Sequence, residues 1–536
     1  MTKRKKNIIL EVQNLTIGLK GNSTFKLVDD ISFSLKENTI TALLGKSGSG
    51  KTLTALSIMG LVNHIEGLEV NGMLKLSNNE LIDLKSDDIN PGKLRGNIIS
   101  MIFQDPFTSF NPTKKCGVQL EEIAGIQDAS IRKSKDDILE LMSKVGIDKR
   151  LYYSYPHEMS GGQLQRMGII AALITNPVLS IADEPTTNLD ASYRKEVLDL
   201  LIKIKDEFGI SILYISHDLD AVKYVADEIL LMKKGKIVRQ VSKFDFFDRD
   251  KSEKKINSGF ESIIANNSFR VGGDSILKLK NLSKSFSGNG YFSFTKGKKH
   301  EALVNVSFDV KKGDIFGIVG ESGSGKTTIA RLIMNLIPVD SGSILFEGKP
   351  IVYDEKDSGF RNDVQIVFQN PLSSLNPALS IRKLIEEAIL SNKREKNNTG
   401  IENKILSLLN MVDLPETILA KTSAQVSGGE GQRVAIARAL AVNPKLLILD
   451  ESISSLDREM QLNILKLLFK LKKKHDLTYI FITHDLEVSR AFCNRLIILK
   501  EGRIVESGDV EEIFSKPKHS YTKKLLMSNL QFPDKD

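Results

Sequence analysis

Gly45–Thr52 reads GKSGSGKT and Gly320–Thr327 reads GESGSGKT, two versions of one octapeptide in a chain of 536 residues. Each follows an apolar run, TITALL before Gly45 and DIFGIV before Gly320, with the pattern of a buried parallel strand. A strand that breaks into a glycine-rich loop and then enters a helix turns its backbone N–H groups inward around phosphate oxygens. Gly45, Ser47, Gly48, Ser49 and Gly50 form that cradle in the first copy, and Gly320, Ser322, Gly323, Ser324 and Gly325 form it in the second. Lys51 and Lys326 then reach the β- and γ-phosphates of a nucleotide, and the hydroxyls of Thr52 and Thr327 face Mg²⁺.

The duplication extends outward from the loops. Lys51 and Lys326 are 275 residues apart, and Gln104 and Gln369 are 265 apart. Ser160 and Ser427, Asp183 and Asp450, and His217 and His484 are each 267 apart. A near-constant offset is the signature of an internal repeat. The change from 275 to 265 places about ten extra residues in the first copy around Gly60–Ile99, a surface insertion on the same fold. The expected organisation is a first domain at 1–241, a linker at 242–275 and a second domain at 276–536.

Each half opens with strand-like alternation, ILEVQNLTI then ISFSL, and ILKLKNLSK then VSFDV, which predicts an antiparallel sheet. After Gln104 and Gln369 the pattern becomes helical and polar, predicting a helical subdomain inserted in each half. The fold class is therefore α/β: tandem P-loop domains, each with a mainly parallel core sheet, an antiparallel subdomain and a helical insert.

The other repeated motifs carry chemistry. LSIADE and LLILDE end in the pairs Asp183–Glu184 and Asp450–Glu451. At the exposed end of a buried strand, the aspartate can hold the Mg²⁺ shell and the glutamate can polarise an attacking water. Gln104 in MIFQDPFTSFNP and Gln369 in IVFQNPLSSLNP can contact both Mg²⁺ and that water through their amides. His217 in YISHDL and His484 in FITHDL can hydrogen-bond a γ-phosphate. Ser160, Gly161 and Gly162, and Ser427, Gly428 and Gly429, open helices and form a second anion site in each half. If the two anion sites flank different ends of a half, the halves must pair head to tail.

Composition agrees with a soluble intracellular protein. Cys116 and Cys493 lie far apart without a CxxC cluster, so no structural zinc or iron–sulfur site is encoded. The basic MTKRKK start precedes an apolar stretch too short for a signal peptide, and no run approaches the ~18–20 residues of a membrane helix. Net charge is +8, but the lysines are scattered without interleaved aromatics, which reads as solvated surface and not as a nucleic-acid interface.

The ordered set resembles the ATP-binding cassette family, twice over: phosphate loop, Q-loop, SGGQ signature, Walker B, D-loop (Asn188–Asp190 and Ser455–Asp457) and His switch. The resemblance implies two composite ATP·Mg²⁺ sites. One joins Lys51, Thr52, Gln104, Asp183, Glu184 and His217 to Ser427, Gly428 and Gly429. The other joins Lys326, Thr327, Gln369, Asp450, Glu451 and His484 to Ser160, Gly161 and Gly162. It also implies an aromatic stacked on adenine, a place held by Phe286 in the second half and by Leu19 in the first, with Phe25 as a nearby substitute.

FQDPFTSFNP, FQNPLSSLNP, YPHEMSGGQ and SKPKHSYTKKLL look like the oligopeptide, dipeptide and nickel importer branch. That branch implies two transmembrane permease subunits, an extracytoplasmic substrate-binding protein, and a place at the cytoplasmic face of the bacterial cell membrane through the permeases. Residues 422–426, TSAQV, depart from its YPHE box, Glu430 replaces the signature glutamine, and the first half lacks the KPxHxYT tail. The resemblance implies an ATP-hydrolysing subunit of an importer with peptides as the favoured cargo, and nickel or a metal–chelate complex is the alternative. The alternative from another class is a ribosome- or nucleic-acid-associated twin cassette; TTNLD, SSLD and the modest linker fit it less well.

Overall fold

The computed structural model describes residues 7–46, 48–85, 94–127, 132–186, 191–249, 273–286, 300–352, 358–369, 374–391, 400–454, 456 and 458–529. The chain divides into two compact units between Lys251 and Ser252.

In the first unit, β1 (Ile8–Leu19), β2 (Asn22–Lys36), β4 (Leu68–Leu76) and β5 (Leu81–Asp83) form an antiparallel sheet in the order β2-β1-β4-β5. The predicted pairing of the first two strands is present, with Val12 opposite Phe33 and Leu15 opposite Ile31. A second sheet runs β10-β9-β3-β8-β7-β6, from β3 (Ile40–Leu44), β6 (Ile99–Ile102), β7 (Leu179–Asp183), β8 (Ser211–Ser216), β9 (Glu228–Lys233) and β10 (Lys236–Ser242). Its pairings are parallel except for β10 with β9.

Strand β3 is buried along its whole length because the parallel sheet is covered on both faces. Ile40, Ala42 and Leu44 face a core shared with the helical insert, whereas Leu43 faces the core shared with the antiparallel sheet. After β3 comes α1 (Lys51–Ile58). The insert contains α2 (Cys116–Ala124), α3 (Lys135–Lys144) and α4 (Gly161–Leu173). Ser134 starts α3 with a capping box to Asp137, and Ile138, Leu141 and Met142 form its buried stripe at helical spacing. The helix Lys243–Arg249 falls in the segment expected as linker and packs on the first core through Phe246.

The second unit repeats the plan. Its antiparallel sheet is β12-β11-β14-β15, from β11 (Ser275–Phe286), β12 (His300–Lys311), β14 (Ser341–Phe346) and β15 (Lys349–Pro350). Its larger sheet is β16-β17-β18-β13-β19-β20, from β13 (Ile315–Val319), β16 (Val364–Val367), β17 (Leu446–Asp450), β18 (Thr478–Thr483), β19 (Arg495–Lys500) and β20 (Arg503–Asp509). Read from the other edge, this is the order of the first unit strand for strand. Helices α5 (Lys326–Ile333), α6 (Ile381–Ser391), α7 (Ile401–Met411) and α8 (Gly428–Leu440) correspond to α1–α4. Among the described residues, no helix is long and apolar enough to cross a membrane.

Candidate functional site

Both glycine-rich loops sit at the carboxyl end of a central parallel strand, β3 or β13, where ligands bind in open α/β sheets. Two glycines are demanded by close approach. A Cβ on Gly45 would lie 2.5 Å from the Met232 carbonyl oxygen, and one on Gly320 would lie 2.4 Å from that of Leu499. Gly50 and Gly325, with φ of 102° and 104°, hold the left-handed turn that launches α1 and α5. Gly48 and Gly323 also have positive φ, and Ser322 is exposed on the second loop. Ser47 lies outside the described residues.

The lysines lie back along their own loops. Lys51 Nζ donates to the carbonyls of Gly45 at 2.8 Å and Lys46 at 3.1 Å; Lys326 Nζ donates to those of Gly320 at 2.7 Å and Glu321 at 2.9 Å. Ser49 Oγ and Ser324 Oγ are buried in the loops without a hydrogen-bond partner. A buried ammonium wrapped in carbonyls, two orphaned hydroxyls and an open helix N-terminus fit a phosphate chain.

The cation end is equally legible. Thr52 Oγ1 lies 3.5 Å from Asp183 Oδ1, and Thr327 Oγ1 lies 3.4 Å from Asp450 Oδ1. Burial, reinforced by the adjoining glutamate, pushes the carboxyls of Asp183 and Asp450 up to about 6. No cluster of three metal-ligating side chains occurs among the described residues. One carboxylate and one hydroxyl suit Mg²⁺, which keeps its waters and shares substrate phosphates and needs no all-protein cage.

Glu184 and Glu451 follow those aspartates with φ of 46°, a left-handed conformation that is uncommon outside glycine. The turn is held by Glu184 N–H to the Ile215 carbonyl and Glu451 N–H to the Ile482 carbonyl, 3.0 Å in both cases. It brings each carboxylate to the glutamine and histidine of its own half. Gln104 Nε2 donates to Glu184 Oε2 at 3.2 Å, and His217 Nδ1 is 2.9 Å from Glu184 Oε1. In the second unit, Gln369 Nε2 donates to Glu451 Oε2 at 3.1 Å and His484 Nδ1 is 3.4 Å from the same oxygen. Lys326 Nζ stands 3.4 Å from Glu451 Oε1.

Burial alone would lower His217, but the Glu184 hydrogen bond and charge together hold it above the ordinary imidazole value. Burial alone would raise Glu451, but His484 and Lys326 hold it below the usual carboxylate range. Asp218 and Asp485 fix the histidines by capping the helices Leu219–Val225 and Leu486–Phe492.

Ser160 and Ser427 are the N-caps of α4 and α8, each in a capping box with the residue three positions on, Gln163 or Glu430. Gly161, Gly162, Gly428 and Gly429 form the first turns. Tyr193 lies against Gly162 and Met460 against Gly429, a pair at the 267-residue offset that the sequence reading passed over. Leu19 and Phe286 close equivalent strand ends, at 37% and 40% exposure, and Phe25 is 52% exposed. Of the apolar residues flanking the Q-loop glutamines, Phe103, Phe107 and Phe368 are exposed, while Phe110 and Leu375 are buried. Both D-loop stretches fall wholly or largely outside the described residues.

The ABC transporter family model matches residues 28–187 and 303–454, one copy in each unit. The chain belongs to the ABC transporter family. As an ABC ATPase with two fused cassettes, it is 36% identical over 543 residues to an uncharacterized ABC transporter ATP-binding protein, YejF, of Escherichia coli strain K12, covering 97% of this chain and 99% of that one. It is also 36% identical to the peptidoglycan transport ATP-binding protein YejF of Agrobacterium fabrum, over 97% and 96% of the two chains. The glutathione import ATP-binding protein GsiA of Pectobacterium atrosepticum is 31% identical over 97% and 89%.

Proposed function

We propose that this ABC ATPase energises an importer of peptide-type cargo, working at the cytoplasmic face of the membrane with two transmembrane permease subunits and an extracytoplasmic binding protein. The observation that carries the catalytic part is the glutamate held between a glutamine and a histidine, next to a Thr–Asp pair, in both units. The cargo class is supported by full-length likeness to proteins named for peptidoglycan transport and glutathione import. The domains we assign are 1–241 and 276–536, joined by 242–275.

A bound Mg²⁺ would neutralise charge on the γ-phosphoryl oxygens of ATP and leave the phosphorus electrophilic. Lys51 and Lys326 leave their loop carbonyls to meet the β- and γ-phosphates. Thr52 with Asp183, and Thr327 with Asp450, would hold the cation, joined by the amides of Gln104 and Gln369. Glu184 and Glu451 accept the proton of the attacking water at a carboxylate oxygen. His217 and His484 orient that carboxylate and donate toward the γ-phosphate. The signature serines Ser160 and Ser427 donate to nucleotide phosphate from the N-terminal ends of α4 and α8. Phe286 stacks on adenine in one site.

Co-purified permeases, binding protein and this chain in proteoliposomes test the proposal. Short peptides should stimulate ATP hydrolysis and enter the vesicles. Stimulation by nickel or a metal chelate alone would move the cargo assignment, and co-purification with ribosomes alone would remove the importer.

A further inference from the structure

We propose that Glu430 is a determinant of unequal nucleotide binding: its carboxylate occupies the donor of the Ser427 helix end, whereas Gln163 leaves the Ser160 end open to phosphate. The inference rests on the reading that these two serines donate to nucleotide phosphate.

Both residues sit at the third position of a capping box, yet they use the serine differently. In α4 the Ser160 N–H donates to Gln163 Oε1 at 3.0 Å and the Gln163 N–H donates to Ser160 Oγ at 3.3 Å. The Ser160 hydroxyl proton has no acceptor among the described residues, and the Gln163 amide carries no charge. In α8 one oxygen of Glu430, Oε2, accepts both the Ser427 N–H at 2.8 Å and the Ser427 hydroxyl at 2.9 Å. The hydroxyl that should donate to an incoming phosphate is already spent inside the chain. The backbone bond from Ser427 holds Glu430 below the usual carboxylate range, so it is ionised at neutral pH. Lys421 Nζ is 4.0 Å from its other oxygen and 41% exposed, too wet to cancel the charge.

Phosphate arriving at Ser427 must break the Ser427–Glu430 bond and settle within a few ångströms of a fixed negative charge. Phosphate arriving at Ser160 meets neither obstacle. The same carboxylate favours α8 by facing its positive end, so Glu430 strengthens the empty helix and weakens the loaded one. That opposition in sign separates this role from a structural one.

The test is Mg²⁺–ATP affinity by titration calorimetry on the full chain, with one phosphate loop disabled at a time. With Lys326→Ala, adding Glu430→Gln should tighten ATP binding about three- to tenfold. Thermal unfolding without nucleotide should meanwhile show equal or lower stability. The reciprocal Gln163→Glu, in a Lys51→Ala background, should weaken ATP by a similar factor, and it stands as a second test if Glu430→Gln fails to fold. A gain from Glu430→Gln that appears with Lys51→Ala instead keeps the role of Glu430 and overturns the head-to-tail assignment of the serines. Unchanged or weaker affinity in both backgrounds overturns the proposal while leaving the ATPase reading intact. No binding by the wild-type chain would remove that reading as well.

Discussion

His217 Nδ1 stands 2.9 Å from Glu184 Oε1, a hydrogen bond, whereas its counterpart His484 Nδ1 is 3.4 Å from Glu451 Oε2 without hydrogen-bond geometry. Lys326 Nζ stands 3.4 Å from the other oxygen of Glu451, a second positive neighbour to that carboxylate. The two carboxylates proposed as bases therefore sit at different distances from their histidines within matching frames.

The difference is readable as pH dependence. His217 is held above its ordinary value, so the stability it contributes is full below about pH 6.5, the ordinary imidazole value, and is lost as pH rises through its higher folded value. In the nucleotide-free protein, His217→Gln should therefore lower Tm more at about pH 6 than at about pH 8.5. Thermal unfolding at the two pH values checks this; an equal loss at both would show that the imidazolium pair is not formed.

Asp183 and Asp450 are both pushed up to about 6, first by burial, so their ionised forms carry an electrostatic cost that a bound cation would offset. A raised folded value means the strain is absent below the ordinary aspartate value of 3.8, grows as pH rises from there to about 6, and is fully present above it. Asp183→Asn should raise stability at neutral pH without Mg²⁺ by about 2–3 kcal/mol, from roughly two pKa units at 1.36 kcal/mol each. Mg²⁺-dependent ATP binding at that loop should be lost together with the strain. Calorimetry with and without Mg²⁺ reads both, and a destabilised variant would contradict the burial argument.

Adenine affinity should differ between the two phosphate loops. Leu19 ends β1 where Phe286 ends β11, and leucine packs against a base without stacking. An aromatic stack contributes about 0.5–1.5 kcal/mol beyond area, a several-fold change in affinity. Leu19→Tyr should tighten ATP at the loop of Lys51. Weakening by Phe25→Ala, with no gain from Leu19→Tyr, would show instead that Phe25 already covers the base; it is 52% exposed in the chain alone.

Much of this was visible in the sequence because the chemistry is local and duplicated. The octapeptides, the strand before each and the acidic pair after a buried run are all short-range patterns, and a repeat offset filters out chance. The antiparallel pairing of β1 with β2 followed from period-two alternation in the same way. What the sequence hid depends on backbone conformation or on distance along the chain. The left-handed Glu184 and Glu451 carry no glycine to announce them. The third and fourth strands β4 and β5 are interrupted by Gly72, whose Cβ would meet Leu15, and by Asn78 and Asn79. Tyr193 and Met460 were findable by subtracting 267, yet neither belongs to a motif, so nothing drew attention to them. Glu430 stood out as a departure, but only the hydrogen bonds reveal that it accepts the serine hydroxyl.

The central claim is that Glu184 and Glu451 take the water's proton in two working ATP sites, and the Glu184→Gln, Glu451→Gln double variant tests it most directly. Glutamine keeps the shape and the hydrogen bonds to Gln104 and Gln369 while removing the base. Nucleotide affinity should persist and the steady-state ATPase rate should fall about a hundredfold to ten-thousandfold. Hydrolysis at the wild-type rate in that variant would contradict the account.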